Sequence, residues 1–113
     1  MAKDTVPADV FALLDDEYAR GILRATNGKP MPARQLAEEL DASRSTVYQR
    51  IEQLQAVDLL IESTDLSPNG HHRSVYEAQL DRIVVELTED DFEVTVTRRD
   101  HPADRFTDIW ENL

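Results

Sequence analysis

An α+β fold with helices first and strands last is predicted by three observations. Apolar residues recur at helical spacing through the first half of the chain, most clearly in two short segments between Ala33 and Ala56. Two strand-like stretches separated by Ser67-Pro68-Asn69-Gly70 follow, between Leu59 and Leu80. A second alternating pair then runs from Ile83 to Thr97, ahead of an amphipathic tail that opens at Pro102.

The elements follow in order. Met1 to Thr5 reads as a lead-in. Pro7 suits the first turn of a helix, with Thr5 or Val6 at the cap, and Val10, Leu13 and Leu14 give it a short apolar stripe. Asp15-Asp16 interrupts that stripe and caps a second helix, where Ala19, Ile22, Leu23 and Thr26 share a face. Asn27-Gly28-Lys29-Pro30 stops it. Pro32 opens a third helix running to about Leu40, with Ala33, Leu36, Ala37 and Leu40 at i, i+3, i+4 and i+7. Asp41-Ala42-Ser43 is a tight turn. Ser43 caps a fourth helix from Arg44 to about Ala56, with Val47, Ile51 and Leu54 inward. Its other face carries Ser45, Gln49, Glu52 and Gln53, flanked by Thr46 and Tyr48. At Asp58 the chain must turn out of this helix through a left-handed conformation that Gly usually takes.

Leu59–Leu66 and Arg73–Leu80 read as strands, and Pro-Asn-Gly supplies the fixed and the positive φ values of the turn between them. The helix pair alone fits either a helix-turn-helix or an ordinary αα-hairpin of a bundle. A hairpin directly after the pair is the order of a winged helix-turn-helix, which a bundle does not require. Ile83, Val85 and Leu87, then Phe92, Val94 and Val96, form a second hairpin around Glu89-Asp90-Asp91 with one apolar face. From Pro102, Phe106, Ile109, Trp110 and Leu113 repeat at helical spacing. The expected architecture is therefore a winged helix-turn-helix in residues 1–80. Residues 81–113 extend the same domain with the extra hairpin and a terminal dimerisation helix.

The 113 residues carry a formal charge of −11 and no cysteine. Disulfides and thiolate metal or redox chemistry are excluded. The charge is −2 over residues 1–28, 0 over 29–56, −3 over 57–80 and −6 over 81–113. The acid thus lies away from the helix pair. Lys3 and Lys29 are the only lysines, the other basic residues being arginines. An acidic, Lys-poor surface suits a cytoplasm at very high salt; the other reading is an ordinary acidic domain that binds protein. Met1 to Val10 lacks the apolar core of a signal peptide, and no stretch approaches the ~18 apolar residues of a membrane span. A cytoplasmic protein with no membrane partner is expected.

The stretches Leu13-Leu14-Asp15-Asp16-Glu17-Tyr18-Ala19-Arg20-Gly21-Ile22-Leu23, Gln35-Leu36-Ala37-Glu38-Glu39-Leu40 and Ser43-Arg44-Ser45-Thr46-Val47-Tyr48 resemble the haloarchaeal ArsR-like winged helix-turn-helix transcription regulators, as does the exit from Leu54 to Leu59-Leu60. The resemblance covers residues 10–80. It implies a dimer on operator DNA, often released by a signal. The cysteine metal sites of that family's best-known sensors have no counterpart here.

Recognition by the fourth helix would place its N-terminal half in the major groove of double-stranded DNA. Arg44 would contact phosphate or pair with guanine, Gln49 would read adenine, and Ser43, Ser45, Thr46 and Tyr48 would contact bases or phosphates. Arg34 and Arg50 suit phosphate. Arg73, with His71 and His72, sits where a wing reaches phosphate or a narrow minor groove. The alternative for all of these is a solvated surface. The histidines have no metal-ligand spacing around them, so no cofactor is expected. Asp90-Asp91 and the other acidic pairs lie on turns or helix starts with no nucleophile beside them, so an enzyme is not expected. A homodimer through Phe106, Ile109, Trp110 and Leu113, with Val10 and Leu14, would space two reading helices ~34–36 Å apart. The expected function is a sequence-specific, homodimeric DNA-binding transcription regulator at high salt. The rival is an acidic winged-helix module that binds a basic protein and never touches DNA.

Overall fold

A computed structural model describes residues 7–66 and 71–99. Four helices come first: α1 (Pro7–Asp15), α2 (Glu17–Ala25), α3 (Ala33–Leu40) and α4 (Arg44–Ala56). Two antiparallel hairpins follow, β1 (Leu60–Leu66) with β2 (His72–Ala78) and β3 (Leu80–Leu87) with β4 (Phe92–Arg98). The helix from Pro102, with Phe106, Ile109, Trp110 and Leu113, lies outside the described residues, as do the proposed caps Thr5 and Val6.

The helical faces expected from periodicity are the buried ones. Ala19, Ile22, Leu36, Val47 and Leu54 have no accessible surface, and Ile51 almost none. They form one cluster with Met31, Leu59 and Tyr76, against which Leu23, Leu40, Leu80 and Val96 pack. α2 and α3 approach closely at Gly21, where an added Cβ would lie 2.7 Å from a Leu40 methyl. A side chain there would displace Leu40 or push the two helices apart.

The caps explain the helix boundaries. Asp16 accepts a hydrogen bond from the Ala19 amide at 2.7 Å and starts α2. Thr26 ends it, its buried hydroxyl donating to the Ile22 carbonyl at 2.8 Å. Pro32 stands at the N-cap of α3, one residue earlier than expected, with extended backbone. Asp41 leaves α3 at φ 51°, and Asp58 follows α4 at φ 57°. The left-handed turn at Asp58 was expected, whereas the one at Asp41 was not. Asp tolerates this region better than most side chains, so a tight turn between α3 and α4 needs no glycine.

The root of the first hairpin is tied to the helices by backbone bonds. Met31 and Tyr76 exchange both amide–carbonyl bonds, at 3.0 and 2.8 Å, and the Ala78 amide donates to the Thr26 carbonyl. An isolated residue ahead of α3 thus acts as a third strand, too short to leave a pattern in the sequence. Gln79 alone links the two hairpins. Arg98, at the end of β4, donates from Nε to the Asp58 carbonyl at 2.9 Å and from Nη2 to the Val57 carbonyl at 2.7 Å. The second hairpin is thereby fastened to the C-terminal end of α4. At its tip Thr88 closes the turn, donating to the Asp91 carbonyl and accepting from the amides of Asp90 and Asp91. These acids serve a turn.

Candidate nucleic-acid interface

Because Val47, Ile51 and Leu54 turn inward, α4 exposes the opposite face. Arg44, Ser45, Tyr48, Gln49, Glu52 and Gln53 are all exposed, and Tyr48 keeps half of its surface open. The start of this face is ordered by Ser43. Its hydroxyl accepts from the Thr46 amide at 3.1 Å and donates to the Thr46 hydroxyl at 2.9 Å, with the Ser45 hydroxyl 3.2 Å away. Ser43 is thus already committed as the helix cap, and Ser45 and Arg44 stand outward on the first turn.

Arg50 is held differently from its neighbours. Its Nε donates to Asp16 at 2.9 Å and its Nη1 to the Gln49 carbonyl oxygen at 2.7 Å. Its guanidinium carbon lies 6.0 Å from the Tyr18 ring centre. Asp16 therefore serves α2 as cap and α4 as counter-ion, through one oxygen. The Arg50 hydrogen bond is the largest influence on the Asp16 carboxyl and, with the Ala19 amide, holds it below the usual carboxylate range despite partial burial. Sequence reasoning placed Arg50 near phosphate. The partner that occupies it lies 34 residues away in sequence, and no local pattern marks such a contact.

The wing is joined to α4 by a small polar cluster. Glu62 on β1 accepts from Gln55 at 3.1 Å and from Ser74 at 2.7 Å. Tyr76 lies beneath, and burial, then the nearby Glu62 and Tyr48, push its phenol above its ordinary value. Arg73 faces Asp65 across the hairpin, 3.2 Å away, with both side chains well exposed. Such a pair is weak and easily exchanged for another anion. Arg73 and Arg34 line one concave region of about 450 Å³ between β2 and α3, shared with Glu38 and Glu39. His71 and His72 are exposed at the start of β2.

The structure therefore brings Arg44, Ser45, Tyr48 and Gln49 onto one open helix face and places Arg34 with Arg73 beside the wing. Residues 14–63 match a family of helix-turn-helix domains. The matched stretch covers α2, α3, α4 and the start of β1, and so contains the α3–turn–α4 pair. Four helices followed by two small antiparallel sheets fit an α+β winged helix-turn-helix. A helix-turn-helix domain points to a DNA-binding regulator. No curated protein matches the chain. Among the described residues, no helix is long and apolar enough to cross a membrane.

Against the expectation that Val10 faces a second subunit, it is completely buried in the protomer. On α1 the exposed large side chain is Phe11, and Leu14 is half-buried. The second hairpin has a more open apolar face. Val85 pairs with Val94 and Leu87 with Phe92, and Leu87 is 74% exposed and Phe92 52%.

Proposed function

We propose that the protein is a sequence-specific, ArsR-like transcription regulator that binds DNA as a homodimer at high salt. The observation that carries this reading is the outward face of α4. Arg44, Ser45, Tyr48 and Gln49 project from a helix whose other face is fixed in the core by Val47, Ile51 and Leu54. α4 enters the major groove, and the wing carries Arg73 toward phosphate or the minor groove. Homodimer formation is supported by the exposed apolar residues Val85, Leu87 and Phe92, which form a contiguous face of the kind that marks protein contacts. Light scattering in molar KCl should give twice the protomer mass; a single-protomer mass at micromolar concentration would remove the dimer from this reading.

Electrophoretic shifts with the protein's own upstream DNA, in molar KCl, test the main claim. Arg44→Ala and Gln49→Ala should each weaken binding by roughly 5- to 100-fold, the range for a lost base contact, while leaving the fold intact. Unchanged binding by both variants would remove α4 as the reading element. An ordinary basic protein making 6–10 phosphate contacts loses about 10³–10⁵ in affinity between 50 and 200 mM salt. Here the helix-turn-helix stretch 29–56 is neutral and the whole chain carries −11. Added KCl should therefore weaken binding little or strengthen it, by screening protein acid from phosphate. A steep loss with KCl would contradict this mechanism.

A further inference from the structure

We propose that Arg50 is a positioning residue that sets which way the Gln49 amide faces, and that the protein therefore reads guanine rather than adenine at the base Gln49 meets. The inference rests on the DNA-reading role of α4 and names the base specificity of that site. A glutamine reads adenine by using both amide atoms on one base edge, the oxygen accepting from N6 and the nitrogen donating to N7. Here that oxygen already accepts from Arg50, so aiming it at an adenine N6 means sharing or giving up the 2.7 Å bond. A guanidinium has only donors, so the Gln49 atom 2.7 Å from Arg50 Nη1 must be Oε1, whichever way an amide might otherwise be assigned. The side-chain amide is planar, so with Oε1 turned to Arg50 its Nε2 faces away, and Nε2 has no partner among the described residues.

Arg50 itself has little freedom to release it. Asp16 holds its Nε at 2.9 Å and the Tyr18 ring lies beside the guanidinium. Asp16 is in turn fixed by the Ala19 amide at the start of α2. The chain Ala19–Asp16–Arg50–Gln49 thus runs from the start of α2 to the middle of the exposed face of α4. What Gln49 has left without a partner among the described residues is a pair of N–H donors. Guanine offers two acceptors in the major groove, N7 and O6, whereas adenine offers one acceptor and one donor.

The test is selection of bound sites from random duplexes in molar KCl. Duplexes differing only at the Gln49-dependent position are then titrated against the wild type, Gln49→Ala, Arg50→Met, Arg50→Lys and Asp16→Asn. The wild type should prefer guanine over adenine at that position by about tenfold. Arg50→Met should move the ratio toward adenine by a similar factor while preferences elsewhere in the site stay unchanged. An ammonium offers its donors from one nitrogen rather than from the separated Nε and Nη1 that meet Asp16 and Gln49, so Arg50→Lys should give an intermediate ratio, as should Asp16→Asn. These two variants carry the test if Arg50→Met does not fold. A wild type that prefers adenine there overturns the proposal, as does a uniform weakening with the ratio unchanged, which would make Arg50 a phosphate contact. Failure of the underlying reading looks different: the wild type enriches no sequence, or Gln49→Ala leaves every position unaltered. The proposal then falls with it.

Discussion

Leu36→Ala is expected to lower the unfolding free energy by about 2–5 kcal/mol, the range for truncating a fully buried leucine. Leu36 has no accessible surface. α3 has only 8 residues, well below the length at which a helix is stable alone. It is held by Ala33, Leu36 and Ala37, with Leu40 half-buried beside Gly21, and Leu36 is by far the largest of the buried three. Total stabilities of domains of this size are about 5–15 kcal/mol, so the change removes a large share. Urea unfolding at fixed KCl should show a lower midpoint with an unchanged slope. Leu36→Met, which keeps the volume, should cost less than about 1.5 kcal/mol. A loss under about 1 kcal/mol for the alanine variant would mean that α3 is held by something other than this core.

Asp16→Ala should cost about 2 kcal/mol, from a lost helix cap and a broken charge-assisted hydrogen bond. Both partners of the Asp16–Arg50 pair are less than a quarter exposed, at 24% and 22%, so salt screens this pair less than a surface one. Asp16→Asn keeps an oxygen for the Ala19 amide and loses only the charge, so it should cost roughly half as much. The pH dependence follows from the direction of the Asp16 shift. Its carboxyl is depressed in the folded protein, chiefly by Arg50. Its contribution is therefore complete above the unfolded value near about 3.9 and is lost as pH falls through the lower folded value. The gap in melting temperature between the wild type and Asp16→Asn should hold constant from about pH 7 to about 5 and close below about pH 4. A gap that persists at about pH 2 would assign the Asp16 effect to packing.

These two predictions differ in how visible their basis is in the chain. Leu36 could be placed in the core from Ala33, Leu36, Ala37 and Leu40 alone, because a helix repeats its inward face every three or four residues. The same rule identified Val47, Ile51 and Leu54, and by exclusion the outward Arg44, Ser45 and Gln49. Ser43 and Asp16 were legible as caps because the chemistry of a cap is local. The second bond of Asp16, to Arg50, was not, since it joins two helices through space. The Met31–Tyr76 bridge escaped for a related reason, being a single residue with no alternation to reveal it. Val10 was expected to face outward and is instead buried, with Phe11 exposed beside it, because the apolar pattern of a helix this short does not fix which residue turns inward.

Arg98 gives the second hairpin a mechanical meaning. The carbonyls at the exit of a helix are normally satisfied by the next few residues or by water. Those of Val57 and Asp58 are instead held by a guanidinium 41 and 40 residues later. The ends of α4 and β4 are thus coupled directly through one side chain. The second hairpin is thereby braced on the C-terminal end of α4, and a rotation of β4 is carried to that end by hydrogen bonds rather than by the intervening chain.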